Sequence, residues 1–166
     1  MEYFRLFELP FCLQVDKAKV QKKYYELTRI FHPDHAMMKG DEEQSEALEM
    51  SATINKAKRV LDNADLLLEY VLTELHMIGE DDKNSLSPDF LMEMMEYNET
   101  LLDLKVEGDE EGLNRMRDKI EELGKQHTES VTSITSRPID SWSEEEKGVL
   151  KSYYYQRKYL RRLLDV

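Results

Sequence analysis

Residues 16–35 read DKAKVQKKYYELTRIFHPDH, and the rest of the chain is organised around them. Asp16 stands where an N-cap carboxylate accepts the first free backbone N–H groups of a helix. From there Val20, Tyr24, Leu27 and Phe31 recur at intervals of +4, +3 and +4, which places them on one helical face. Lys19, Lys22, Lys23 and Arg29 lie mostly off that face. Pro33 ends the helix, because it has no N–H to donate and disfavours helical geometry at His32. His32-Pro33-Asp34 then opens a polar loop that runs to residue 42 and contains Gly40. The spacing predicts a second long helix over about 43–61, where Met50, Ile54, Ala57 and Leu61 repeat the same intervals. Two matching apolar stripes joined by a loop predict an antiparallel helix pair.

Working outward, Tyr3-Phe4-Arg5-Leu6-Phe7 reads as a short apolar turn or helix stopped near Pro10. Asp62-Asn63 breaks the second long helix, and a shorter apolar helix is expected over about 65–77, with Leu67, Leu68, Val71, Leu72 and Leu75. Residues 79–87 are polar and helix-breaking, and they form the expected boundary between two parts. Ser87-Pro88 supplies an N-cap followed by proline at the first helical position. The helix it opens, over 88–106, should end at Gly108. Asp109 starts another, expected to reach about residue 136, with Leu113, Met116, Ile120, Leu123, His127 and Ile134 near heptad spacing; Arg137-Pro138 stops it. Ser143-Glu144-Glu145-Glu146 is a capping box for a last helix carrying Val149, Tyr153, Leu160 and Leu164 on one face. No stretch shows the two-residue period of a strand. The expected architecture is all-α: residues 1–78 as one unit, 79–87 as linker, and 88–166 as an antiparallel three-helix bundle.

Composition narrows the function. Hydrophobic residues make up 40% of the 166, enough for a packed core, and charged residues make up 35%, which suits amphipathic helices with wet outer faces. A net charge of −12 makes nucleic acid a poor partner, since phosphate binding needs a basic surface. Cys12 is the single cysteine, so neither a disulfide framework nor a cysteine-based zinc site can form, and the chain fits a reducing compartment. No apolar run approaches the roughly 20 residues of a membrane helix. With no signal-peptide or transit-peptide pattern at the N-terminus, a bacterial cytoplasmic protein is the simplest expectation, without membrane attachment.

Four constellations carry chemistry. In His32-Pro33-Asp34 the proline sets the turn and Asp34 is presented as an acceptor-only carboxylate suited to a partner's arginine, with His32 orienting the loop. Lys19, Lys22, Lys23 and Arg29 are either a solvated helix face or a patch that steers an acidic partner; four cations in eleven residues of so acidic a protein favour the patch. Leu91, Met92, Met94 and Met95 cover more than one stripe of a helix, so some of them should be exposed, and exposed methionine is adaptable at binding surfaces. Tyr153-Tyr154-Tyr155 points in three directions and raises the same question. His32, His35 and Asp34 could also be read as a metal site, but no third histidine or cysteine lies near in sequence, and no nucleophile, phosphate-loop or dinucleotide motif is present. No cofactor and no catalytic centre is expected.

The helix, His-Pro-Asp loop and helix together are similar to a J-domain. More narrowly, Tyr3-Phe4-Arg5-Leu6-Phe7-Glu8-Leu9-Pro10, His32-Pro33-Asp34, Ser51-Ala52-Thr53-Ile54-Asn55-Lys56-Ala57 and Phe90-Leu91-Met92-Glu93 resemble, in order, the HscB family of J-type co-chaperones in iron–sulfur cluster assembly. The resemblance implies an L-shaped pair of domains, a J-domain and a C-terminal three-helix bundle. It implies that the J-domain, through His32, Pro33, Asp34, Lys19, Lys22, Lys23 and Arg29, stimulates the ATPase of a DnaK/HscA-type chaperone. It also implies that the bundle binds an IscU-type scaffold through Leu91, Met92, Met95 and Tyr154, with acidic contacts at Glu96, Glu99 and Asp103. The four contact side chains are expected to form one exposed apolar patch. A J-protein serving a general DnaK-type chaperone with other clients is the alternative. The chain departs from the family pattern at Glu8, where glycine is usual, at Ala64 for proline, Leu67 for arginine and His35 for lysine.

Overall fold

The computed structural model describes residues 1–32, 40–79 and 86–165, and these are helical with no strand. Eight α-helices follow in order: α1 (Glu2–Leu6), α2 (Lys17–Ile30), α3 (Asp41–Asp62), α4 (Ala64–Glu74), α5 (Pro88–Glu107), α6 (Glu110–Ser130), α7 (Thr132–Thr135) and α8 (Glu144–Leu164). A 3-10 turn spans Ile139–Ser141. Two compact units emerge: Met1–His76 with Thr135–Ser141, and Met77–Ile134 with Trp142–Val166.

The first unit is built on α2 and α3. Asp16 caps α2 through its carboxylate, which accepts from the N–H groups of Ala18 and Lys19. Lys17, at the start of α2, donates to the Leu61 and Asp62 carbonyls at the end of α3. The Tyr24 hydroxyl, midway along α2, donates to Asn55 at 2.9 Å. These pairings run in opposite directions along the two helices, so the pair is antiparallel, as the matching stripes predict. Val20, Leu27, Ile54, Ala57 and Leu61 are buried between them, together with Leu67, Leu68, Val71 and Leu72 of α4. Asn63 both ends α3 and caps α4 through its side chain. The helix α1 docks by Phe4, fully buried, and by Tyr3 stacked on Tyr70 with ring centroids 4.4 Å apart. The Ile139 N–H donates to the Phe11 carbonyl at 2.8 Å, which joins the 3-10 turn to this unit.

The second unit is three long helices. Ser87 caps α5, and Gly108 closes it in the left-handed region at φ 74°, where glycine meets no Cβ penalty. Phe90 packs near His127, Lys119 lies over the Tyr97 ring at 4.6 Å, and Gly112 approaches Leu104, so α5 and α6 are antiparallel. Thr128 and Tyr153 place their hydroxyls 3.0 Å apart, which joins α6 to α8. Phe90, Met94, Tyr97 and Leu101 of α5 meet Leu113 and Ile120 of α6 and Leu160 and Leu163 of α8 in one core.

Two helix expectations are corrected. The helix expected to reach residue 136 stops at Ser130. Val131, only 2% exposed, breaks the helical bonding by donating to the Thr128 carbonyl at 3.3 Å, and the chain is helical again over α7, where Ile134 is buried. On α8 the buried face is Leu150, Tyr153, Tyr154, Leu160 and Leu163, whereas Val149 is exposed and Leu164 only half-buried. The inward stripe is therefore displaced by one residue from the expected one at two positions. No helix among the described residues is long and apolar enough to cross a membrane.

Candidate partner-binding faces

In the first unit, α2 carries the cations. Lys19, Lys22 and Arg29 are exposed, and His32 is exposed just beyond the helix end. Lys23 differs: it is half-buried and its ammonium sits 2.6 Å from the Glu8 carboxylate and 3.7 Å from that of Glu26. The hydrogen bond to Glu8 raises the Lys23 pKa above the usual lysine value. Glu8 itself has φ 52°, in the left-handed region. Such a position favours glycine: a residue with a Cβ there costs on the order of 1 kcal/mol. The ion pair to Lys23 is a contact that glycine could not make. Pro33 and Asp34, and His35 with them, lie outside the described residues. Near His32 the unit has a cleft of about 560 Å³ lined by Ile30, Phe31, Ala47, Met50 and the carboxylates of Glu43 and Glu46, among others. Such a cleft is not legible in the sequence, because it arises where the end of α2 meets α3.

In the second unit, α5 presents two apolar faces. Phe90, Met94, Tyr97 and Leu101 point into the core, with Met94 fully buried. Leu91, Met92 and Met95 are 37%, 62% and 58% exposed. Glu96, Glu99 and Asp103 are exposed beside them. Glu93 is not part of this acidic strip: the Tyr97 hydroxyl donates to it at 2.5 Å. Burial, followed by the neighbouring Glu93, pushes the Tyr97 pKa up to about 12, so the hydroxyl stays protonated and keeps donating.

Tyr154 does not join the exposed patch. It is 8% exposed, lying one turn from fully buried Leu150 on the same side of α8. The Tyr155 ring meets it edge-on at 5.0 Å, and Lys158 lies over its ring at 5.5 Å and donates to its hydroxyl at 3.4 Å. The outward apolar face is thus a property of α5. Leu102 and Val106, outside the cluster expected from the sequence, are 46% and 88% exposed on the same helix. Continuing the +4 and +3 spacing outward from Leu91 would have found them.

The family description "HSCB C-terminal oligomerisation domain" matches residues 86–165. The co-chaperone protein HscB homolog of Photobacterium profundum is 31% identical over 153 residues, covering 91% of this chain and 88% of the relative. The solved chaperone HscB from Vibrio cholerae superposes with a TM-score of 0.76 at 25% identity, covering 99% of this chain and 94% of that one. Human co-chaperone HscB gives 0.77 at 27% identity over 98% of this chain and 80% of its own. An antiparallel J-domain pair with short helices, followed by a three-helix bundle, is the architecture of a co-chaperone. The chain belongs to the HscB family.

Proposed function

We propose that this co-chaperone, acting in the bacterial cytoplasm, delivers an IscU-type iron–sulfur scaffold to a DnaK/HscA-type chaperone and stimulates that chaperone's ATPase. In this reading residues 1–78 are the chaperone-facing J-domain, 79–87 the linker, and 88–166 the scaffold-binding bundle, apart from residues 135–141, which pack with the first unit. The observation that carries the reading is the outward face at the start of α5, where Leu91, Met92 and Met95 are exposed beside Glu96, Glu99 and Asp103. Exposed apolar side chains that add nothing to a core, rimmed by one sign of charge, suit a protein partner of opposite charge. His32, Pro33 and Asp34, with Lys19, Lys22 and Arg29, contact the chaperone. Lys23 serves mainly to hold Glu8, and Tyr154 acts from beneath the surface by supporting α8 rather than by direct contact.

The test is a pair of variants against purified partners. Leu91→Ala/Met92→Ala/Met95→Ala should weaken scaffold binding at least about a hundredfold, since burying each side chain is worth roughly 1.5–3 kcal/mol, while the thermal midpoint stays near wild type. Asp34→Ala should leave scaffold binding unchanged and abolish ATPase stimulation. Full scaffold affinity in the triple variant, or undiminished stimulation by Asp34→Ala, would sink the corresponding half.

A further inference from the structure

The outward face of α5 does not end where the scaffold patch ends. At about 100° per residue, Leu91, Leu102, Met95, Val106 and Met92 fall in that angular order within an arc of roughly 100°. The core residues Phe90, Met94, Tyr97 and Leu101 centre about 140° away from the middle of that arc. All five outward residues are exposed, Val106 most of all at 88%. The apolar stripe therefore runs from Leu91 to Val106, about 22 Å at 1.5 Å per residue.

Charge says what covers it. Asp103 and Glu96 line one long edge of the stripe and Glu99 sits just inside that edge, between Val106 and Met92 in angle; all three are exposed. The other edge carries Asn98 and Lys105. A second copy of this chain fits poorly. An antiparallel pairing of two α5 stripes sets acidic edge against acidic edge, and a parallel pairing brings Lys105 alone from the opposite edge to meet three carboxylates. Each copy also carries a net charge of −12. A partner element with an apolar ridge and a row of lysines or arginines on one side complements the face along its whole length.

We propose that the scaffold docks along all of α5, with a basic-edged apolar element seated on Leu102 and Val106 as well as on the patch at the helix start. This extends the scaffold-binding reading and rests on it. Because Leu102 and Val106 lie about two and three turns beyond Met95, they form a second, separable half of one footprint. They give this bundle a longer grip than the patch alone.

The experiment is calorimetric titration of purified IscU-type scaffold into the full-length protein, with methyl NMR of the complex. Leu102→Ala/Val106→Ala should weaken binding about tenfold with the thermal midpoint unchanged, and the Leu102 and Val106 methyl resonances of wild type should shift at saturation. Glu99→Lys/Asp103→Lys should weaken binding further and remove most of its salt dependence. Leu91→Ala/Met92→Ala/Met95→Ala is run in parallel. If that variant loses binding while Leu102→Ala/Val106→Ala binds as wild type and the wild-type Leu102 and Val106 methyls do not shift, the extension is overturned and the scaffold reading stands. If both bind as wild type, both fail. A wild-type dimer that Leu102→Ala/Val106→Ala converts to monomer would assign the stripe to self-association and overturn the proposal.

Discussion

The inner and outer stripes of α5 are made of similar residues and have opposite fates. Phe90, Met94, Tyr97 and Leu101 are at most 8% exposed, whereas Leu91, Met92, Met95, Leu102 and Val106 are between 37% and 88% exposed. Both stripes contain methionine and leucine, so hydrophobicity does not separate them. What separates them is whether α6 and α8 lie alongside. The inner stripe stabilises the bundle, and the outer one is left in water, since one helix side is already enough to close the core.

The sharpest way to break this contrast is to cut the inner stripe. Met94→Ala should lower stability by about 2–5 kcal/mol, read by urea unfolding, because Met94 is fully enclosed and the cavity cannot refill from solvent. A loss as small as that of an outward substitution would erase the distinction. Gly112→Ala probes the close approach that keeps the inner stripe covered. A Cβ there would come within 2.4 Å of Asp109 Oδ2 and 2.6 Å of Leu104 Cδ2. Asp109 caps α6 through the Gly112 N–H at 2.9 Å, so its retreat would lose that cap. Loss of a cap costs about 1 kcal/mol or more, partly offset by alanine's better helix propensity, leaving a net fall of about 1 kcal/mol or less. An unchanged unfolding midpoint would mean that the α5–α6 contact gives way freely.

Acid should act on the inner side. His127 packs with its ring centroid 6.1 Å from that of Phe90, and its Nδ1 is buried without a hydrogen-bond partner among the described residues. Burial lowers its pKa from 6.5, and the Glu93 carboxylate only partly opposes this. The folded state then binds the proton less well than the unfolded chain. Above pH 6.5 the histidine is neutral in both states and has no effect; as pH falls from there through the lowered folded value, stability is lost. His127→Gln should flatten that part of the stability–pH curve between pH 7.5 and 5, measured by chemical unfolding at each pH. An identical slope in the variant would place the acid sensitivity elsewhere. The smallest effect is expected on the outer stripe: Leu102→Ala and Val106→Ala should each change stability by no more than about 0.5 kcal/mol, and a drop of several times that would show the stripe to be covered within this chain.

Much of the fold is legible in the residues. Asp16, Asn63, Ser87, Asp109 and Ser143 all cap helices through their own side chains, and Gly108 closes α5. The +4, +3, +4 intervals in α2 and α3 placed their facing stripes, and the antiparallel pairings followed from short connections. The apolar start of α5 with its acidic neighbours was legible as a candidate face because it exceeded what one buried stripe needs.

What the residues could not decide was which neighbours cover which sides. Periodicity gives the angle of each side chain about its own helix, but burial depends on the register of the helices packed against it. So Tyr154, grouped by sequence with an exposed patch, is buried beside Leu150, and Val149 is exposed where a core position was expected. The helix over residues 109–136 is interrupted at Val131, where the Thr128, Ser130 and Thr132 hydroxyls donate to backbone carbonyls of the last turns, and it resumes as α7. Lys23 looked like a free cation until the fold brought Glu8 within 2.6 Å. By itself the sequence determined the helices, their caps and the surplus of apolar residues on α5. Only the tertiary structure decided that the surplus faces outward from Leu91 to Val106, because that depends on where α6 and α8 are absent.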